Sequence, residues 1–161
     1  MSASPPQPRN DHQAHFELRL NSDASVLAPT RVAIERLCAD GGFDPKSCES
    51  VGLAVNEALA NIIRHAYGGA SDKPIQLNCR MEAGEITIEL RDWGTGTNPA
   101  ELAPKPPNPL KPGGLGLICM RRIMDSLVFV PQPDGMLLVM TKRRASDTKP
   151  GVQARESTGQ D

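Results

Sequence analysis

The chain has 161 residues, a formal net charge of −1, 39% hydrophobic and 23% charged residues, and only 3% aromatics. That length suits one domain rather than two. The near-neutral balance supplies no basic field for nucleic acid, and so few aromatics leave no stacking platform for bases. No run of about 18 apolar residues occurs, so no membrane span is expected. The opening MSASPPQPRNDHQ lacks the apolar centre of a signal peptide, so a cytoplasmic location is the expectation. Cys38, Cys48, Cys79 and Cys119 form no C-x-x-C pair and only three histidines accompany them. They read as reduced, structural thiols and not as a zinc site.

Residues 1–14 and 145–161 are polar and Pro-, Ser- and Gln-rich, the composition of disordered tails around one domain at 15–144. In HFELRLNS (15–22), Phe16, Leu18 and Leu20 alternate with polar neighbours, which predicts a strand. VLAPTRVAIERLCAD (26–40) reads as a helix capped by Asp23 or Ser25 and stopped by Gly41 and Gly42. Asp44-Pro45 opens a second helix, expected to run to about Tyr67 before Gly68-Gly69. Residues 75–94 read as a hairpin, with Glu82-Ala83-Gly84 in the turn. The segment 94–114 carries Pro99, Pro104, Pro106, Pro107, Pro109 and Pro112, too broken for a regular element. Helical spacing returns through Leu117, Met120, Ile123 and Met124. Residues 127–144 then predict a second hairpin around Asp134-Gly135, with Met120, Met124, Met136 and Met140 read as core. Strands joined as hairpins predict an α+β two-layer sandwich: a mostly antiparallel sheet covered on one face by three helices.

Three polar features stand out from this scaffold. In AVNEALANIIRHAYGG (54–69), Glu57 and Asn61 lie one turn apart at the border of an apolar stripe formed by Val55, Leu59, Ile62 and Ala66. On the helix alone, a solvated edge explains them. In LRDWGTG (90–96), Asp92 ends an apolar strand, where a carboxylate can accept a hydrogen bond from an exocyclic amine. Gly94 and Gly96 would let backbone approach a flat ligand closely. KPGGLGL (111–117) precedes a helix; Gly113, Gly114 and Gly116 would expose backbone N–H groups, and Lys111 would add a positive charge, a combination that suits phosphate. Neither a P-loop nor a Rossmann fingerprint is present.

Taken in order, EALANIIRHAY, DWGTG and GGLGLICMRRIMD give a chain that resembles the GHKL ATP-binding superfamily, and within it the anti-sigma factor serine/threonine-protein kinases. The resemblance covers about 15–143 and implies the histidine kinase-like (Bergerat) ATPase fold. It implies that Asn61 binds Mg²⁺ and that Glu57 is the general base. Asp92 would bind adenine beside Gly94 and Gly96. Residues 97–113 would form a mobile lid, and Gly113, Gly114 and Gly116 would lie near the phosphates. Thr141, on the last strand, would help hold adenine through water. Lys111 is the nearest base to the second glycine motif, where relatives often carry Arg.

The activity so implied is a regulatory kinase that uses Mg²⁺ and ATP to phosphorylate an anti-sigma factor antagonist protein. It would alternately sequester a sigma factor and act as a homodimer, with no direct contact to nucleic acid or membrane. Two other readings stand beside it. One is a nucleotide-gated binding module without significant kinase activity. The other is an α+β interaction domain whose glycine motifs are coincidental.

Overall fold

The computed structural model describes residues 14–95 and 114–145. Strand β1 (Ala14–Asn21) leads through a short 3₁₀ turn (Ala24–Val26) into helix α1 (Leu27–Asp40). Asp23 caps that turn by accepting from the Ser25 N–H. Helix α2 (Pro45–Asn61) has the predicted start. Asp44 accepts from the Ser47 N–H at 3.0 Å, and Pro45, which has no N–H to satisfy, occupies the first turn. Strands β2 (Pro74–Glu82) and β3 (Glu85–Asp92) follow, then helix α3 (Leu115–Ile123) and strands β4 (Ser126–Gln132) and β5 (Gly135–Arg143). The order of strands is β1-β2-β3-β5-β4, every neighbour antiparallel.

The β2–β3 turn is Ala83-Gly84, both with positive φ (47° and 77°), the backbone sense that matches the twist of a two-residue hairpin. The second turn differs slightly from expectation: Gln132 pairs with Gly135, so Pro133-Asp134 form the loop and Gly135 already belongs to β5.

Alternation along the strands sorts the sheet into two faces. Ile75, Leu77, Cys79 and Met81 of β2, Ile86, Ile88 and Leu90 of β3, and Leu138 and Met140 of β5 are buried under the helices. They meet Ile34 and Cys38 from α1 and Val51, Val55 and Leu59 from α2. Each such aliphatic side chain contributes about 1.5–3 kcal/mol on burial. The other sheet face carries Asn78, Thr87 and Glu89, with Val128 and Val130 exposed on β4. All four cysteines are free thiols, and desolvation pushes the Cys38 thiol up to about 12. Among the described residues no helix is long and apolar enough to cross a membrane.

The bulk of both expected tails and the expected lid at 97–113 lie outside the described residues.

Candidate functional site

The apolar stripe of α2 dictates where its polar residues fall. Val51, Ala54, Val55, Ala58 and Leu59 are buried, while Glu57 and Asn61 are half-buried at the edge of the stripe. Helix α3 packs beside α2 at this edge. A Cβ on Gly116 would stand 2.6 Å from Glu57 Oε2 and 3.7 Å from Asn61 Nδ2. The backbone of the first turn of α3 therefore lies directly on the two side chains, and glycine is what allows it. Gly114, the N-cap of α3, faces open space, and its own side makes no capping bond. The first N–H groups of α3 and its positive dipole end are thus close to the Glu57–Asn61 pair, a setting that favours anions. Asn61 Oδ1 lies 3.5 Å from the Arg64 guanidinium, at the outer limit of a hydrogen bond.

Beyond Asn61 the helix departs from the expected regular run to Tyr67. Residues Ile62–Ala66 are wound as a π-helical turn, and the Tyr67 N–H donates to the Ile62 carbonyl at 3.1 Å. Such widened turns pack one extra residue into a helix and recur at functional sites. Its consequence here is visible in Tyr67. The phenol oxygen accepts from the Trp93 N–H at 2.8 Å and donates to the Pro74 carbonyl at 2.5 Å. One side chain so joins the end of α2 to the start of β2 and the exit of β3. Gly94 makes a second joint: a Cβ there would collide with the Ala66 carbonyl. Tyr67 was not singled out from the sequence, although it closes the EALANIIRHAY motif.

Asp92 ends β3 on the helix-covered face and is 5% exposed. Burial pushes its carboxyl above the usual range; the Gly94 N–H, which donates to Oδ1 at 2.9 Å, partly offsets this, as do Arg91 and the Met136 N–H. Gly135 presses against the Asp92 carbonyl, leaving no room for a Cβ. Between the β3 exit and the β4–β5 turn lies a cavity of about 460 Å³ lined by residues 92–95 and 131–136. Arg91 stabilises its rim, stacking over the Trp93 ring at 4.6 Å and pairing with Asp134.

Glu57, Asn61 and Gly116 are therefore brought together, and the joints at Tyr67 and Gly94 hold the Asp92 end of β3 against the same helix one turn further on. Thr141 is a correction. It pairs with Thr87, five residues along β5 from Met136, the partner of Asp92. Five is an odd number, so Thr141 lies on the opposite sheet face from Asp92, roughly 17 Å away along the strand at about 3.4 Å per residue. Gly96, Lys111 and Gly113 lie outside the described residues. Among the described residues no group of three or more His, Cys, Asp or Glu could hold a metal unaided. The hard carboxamide oxygen of Asn61 suits an ion such as Mg²⁺, which takes most of its ligands from water and phosphate.

This arrangement, a helix-edge Glu/Asn pair under a glycine-rich helix start and a buried Asp at the end of an antiparallel strand, is that of an ATPase domain related to histidine kinases. Residues 20–142 match the family model of the histidine kinase-like ATPase domain, and the chain belongs to that family. Among its relatives is a serine-protein kinase RsbW from Listeria innocua, 26% identical over 133 residues, which span 78% of this chain and 84% of the relative. An anti-sigma F factor from Halalkalibacterium halodurans is 29% identical over 147 residues, 88% of this chain and 97% of the relative. The fold is also that of the crystal structure of the RsbU and RsbW domains of a Mycobacterium tuberculosis protein, with a TM-score of 0.60 at 13% identity. That match covers 81% of this chain and 32% of the other, so the chain spans about a third of it.

Proposed function

We propose that this domain binds ATP with Mg²⁺ and transfers the γ-phosphoryl group to a Ser or Thr hydroxyl of an anti-sigma factor antagonist protein, and that it sequesters a sigma factor in its other binding state. The observation that carries the reading is the meeting of Glu57, Asn61 and Gly116 at one edge of α2. Asp92 would accept from the exocyclic amine of adenine, within a cavity whose volume falls in the range of about 300–1,000 Å³ common for small-molecule sites. The N–H groups at the start of α3 would face the phosphates. Asn61 would hold Mg²⁺, which when bound neutralises phosphate charge. Glu57 would take the proton of the attacking hydroxyl as its oxygen bonds to phosphorus and the bond to the β-phosphate oxygen breaks. The added charge of roughly −1.5 to −2 on the product would then expel the antagonist from the interface.

The test is transfer of labelled phosphate from ATP to the cognate antagonist, with Glu57→Gln as control. A loss of about 10²–10⁴-fold is expected for removal of a general base. Retention of the rate within a few-fold would remove Glu57 from that role. ATP binding without any phosphoprotein product would instead define a nucleotide-gated binding module.

A further inference from the structure

We infer that Met136 is the residue that excludes substituents on the exocyclic amine of the base at this site, an inference that rests on the nucleotide reading above and adds to it a wall that the motifs do not contain. Met136 is the β5 partner of Asp92 in the β3–β5 ladder, so the two side chains leave the same sheet face side by side. Directly opposed side chains stand about 4.5–5.5 Å apart at Cβ. Both line the cavity between the β3 exit and the β4–β5 turn. The register cannot slip locally, because Gly135 is seated against the Asp92 carbonyl with no room for a Cβ.

Met136 also differs from the other inward-facing methionines. It is buried, at 9% exposure, yet it is not part of the contiguous apolar core that takes in Met81, Met120, Met124 and Met140. It lines the cavity beside Asp92. A thioether there offers a polarizable, unbranched surface to a flat ring. The chemistry of the pair then divides the work. The Asp92 carboxylate recognises an amine-bearing edge, and Met136 fills the space beside that edge, so that a substituent on the amine meets the methionine side chain. The ligand class is a purine nucleotide with an unsubstituted exocyclic amine.

The experiment compares binding of ATP and N6-benzyl-ATP, both with Mg²⁺, to the full chain and to Met136→Ala and Met136→Leu. The benzyl analogue keeps one N–H for Asp92, so it isolates shape from hydrogen bonding. The natural chain is expected to prefer ATP by at least about 30-fold, within the 10–200-fold span that small steric differences produce in apolar pockets. Met136→Ala should weaken ATP several-fold and strengthen the benzyl analogue, shifting the preference by at least about tenfold toward it. Met136→Leu, of similar volume, should keep the natural preference. Circular dichroism checks folding, and Met136→Val carries the same comparison if the alanine variant does not fold. An unchanged preference in the shortened variants, with Asp92→Asn still losing ATP, would overturn the role of Met136 alone. Failure of the natural chain to bind either nucleotide would overturn the nucleotide reading and this inference with it.

Discussion

Adding one methyl group at Gly116 should separate chemistry from stability. A Cβ there would lie 2.6 Å from Glu57 Oε2, whereas ordinary contact begins at 3.4 Å, so the carboxylate oxygen must retreat by 3.4 − 2.6, about 0.8 Å. The obstacle is the tip of a flexible side chain, which can move. Asn61 Nδ2, at 3.7 Å from the same point, need not move at all. Gly116 lies in the first turn of α3 and has no positive φ, so alanine is compatible with its backbone. It should favour the helix by up to about 1 kcal/mol. Misplacing a reacting group by about 1 Å can cost about 10²-fold in rate. Gly116→Ala is therefore expected to melt at the same temperature or a few degrees higher, to bind ATP within a few-fold of the natural chain, and to lose about 30–100-fold in phosphate transfer. Thermal denaturation, nucleotide titration and the transfer rate measured on the same preparations decide the matter. A Gly116→Ala rate within about threefold of natural would refute the idea that the position of Glu57 governs the chemistry.

Two further predictions concern the other end of the site. Asp92→Asn should weaken ATP by about 10–100-fold, the loss of one hydrogen bond to a charged group. It should also change stability with a definite sign. Burial raises the carboxyl of the folded state. The natural chain is thus favoured at pH values below the unfolded carboxyl, about 3.9, and loses that stability as pH rises through the raised folded value. The asparagine, which can still accept from the Gly94 N–H, has no such loss. Its stability relative to the natural chain should rise as pH climbs from about 4 through the raised folded value and then level off; a relative stability that falls with pH in urea melts would contradict the burial argument. Tyr67→Phe removes both an acceptor for Trp93 and a donor to Pro74. At about 0.5–1.5 kcal/mol for each bond, a fall in melting temperature of roughly 4–12 °C is expected. A melt unchanged within about 1 °C would show that the hydroxyl does not hold the strand exit to the helix.

What could be seen in advance followed from local chemistry. Asp44-Pro45 announced the start of α2 because the cap and the missing N–H act within one turn of chain. Period-two alternation of aliphatics announced β2 and β3, and the observed pairing of Cys79 with Ile88 and Leu77 with Leu90 is the register that this alternation requires. The π-wound turn at Ile62–Ala66 was hidden, because its cause is tertiary: the chain must deliver Tyr67 to two strands at once. The position of Thr141 was recoverable by counting. With Met136 and Met140 inward, alternation alone puts residue 141 outward, and the expectation for it failed by ignoring that parity. Met136 was read as core and is buried; that it also lines the cavity beside Asp92 follows from the strand register, which composition does not carry.

The two ends of the site are held by different kinds of contact, and the difference has a functional meaning. At Asp92 two restraints are backbone against backbone, Gly94 on the Ala66 carbonyl and Gly135 on the Asp92 carbonyl, and the Tyr67 hydroxyl adds a side-chain bridge between two main-chain groups. The two backbone contacts cannot yield without moving a strand or a helix end. At Glu57 the contact is the tip of a side chain against the first turn of α3, a helix of only nine residues. A carboxylate tip can rotate, and a short helix packed chiefly on α2 can shift by a fraction of an ångström at small cost. On the proposed reading, the base would be recognised on the stiff part of the domain, and the proposed proton acceptor, Glu57, would sit where the neighbouring α3 can adjust it.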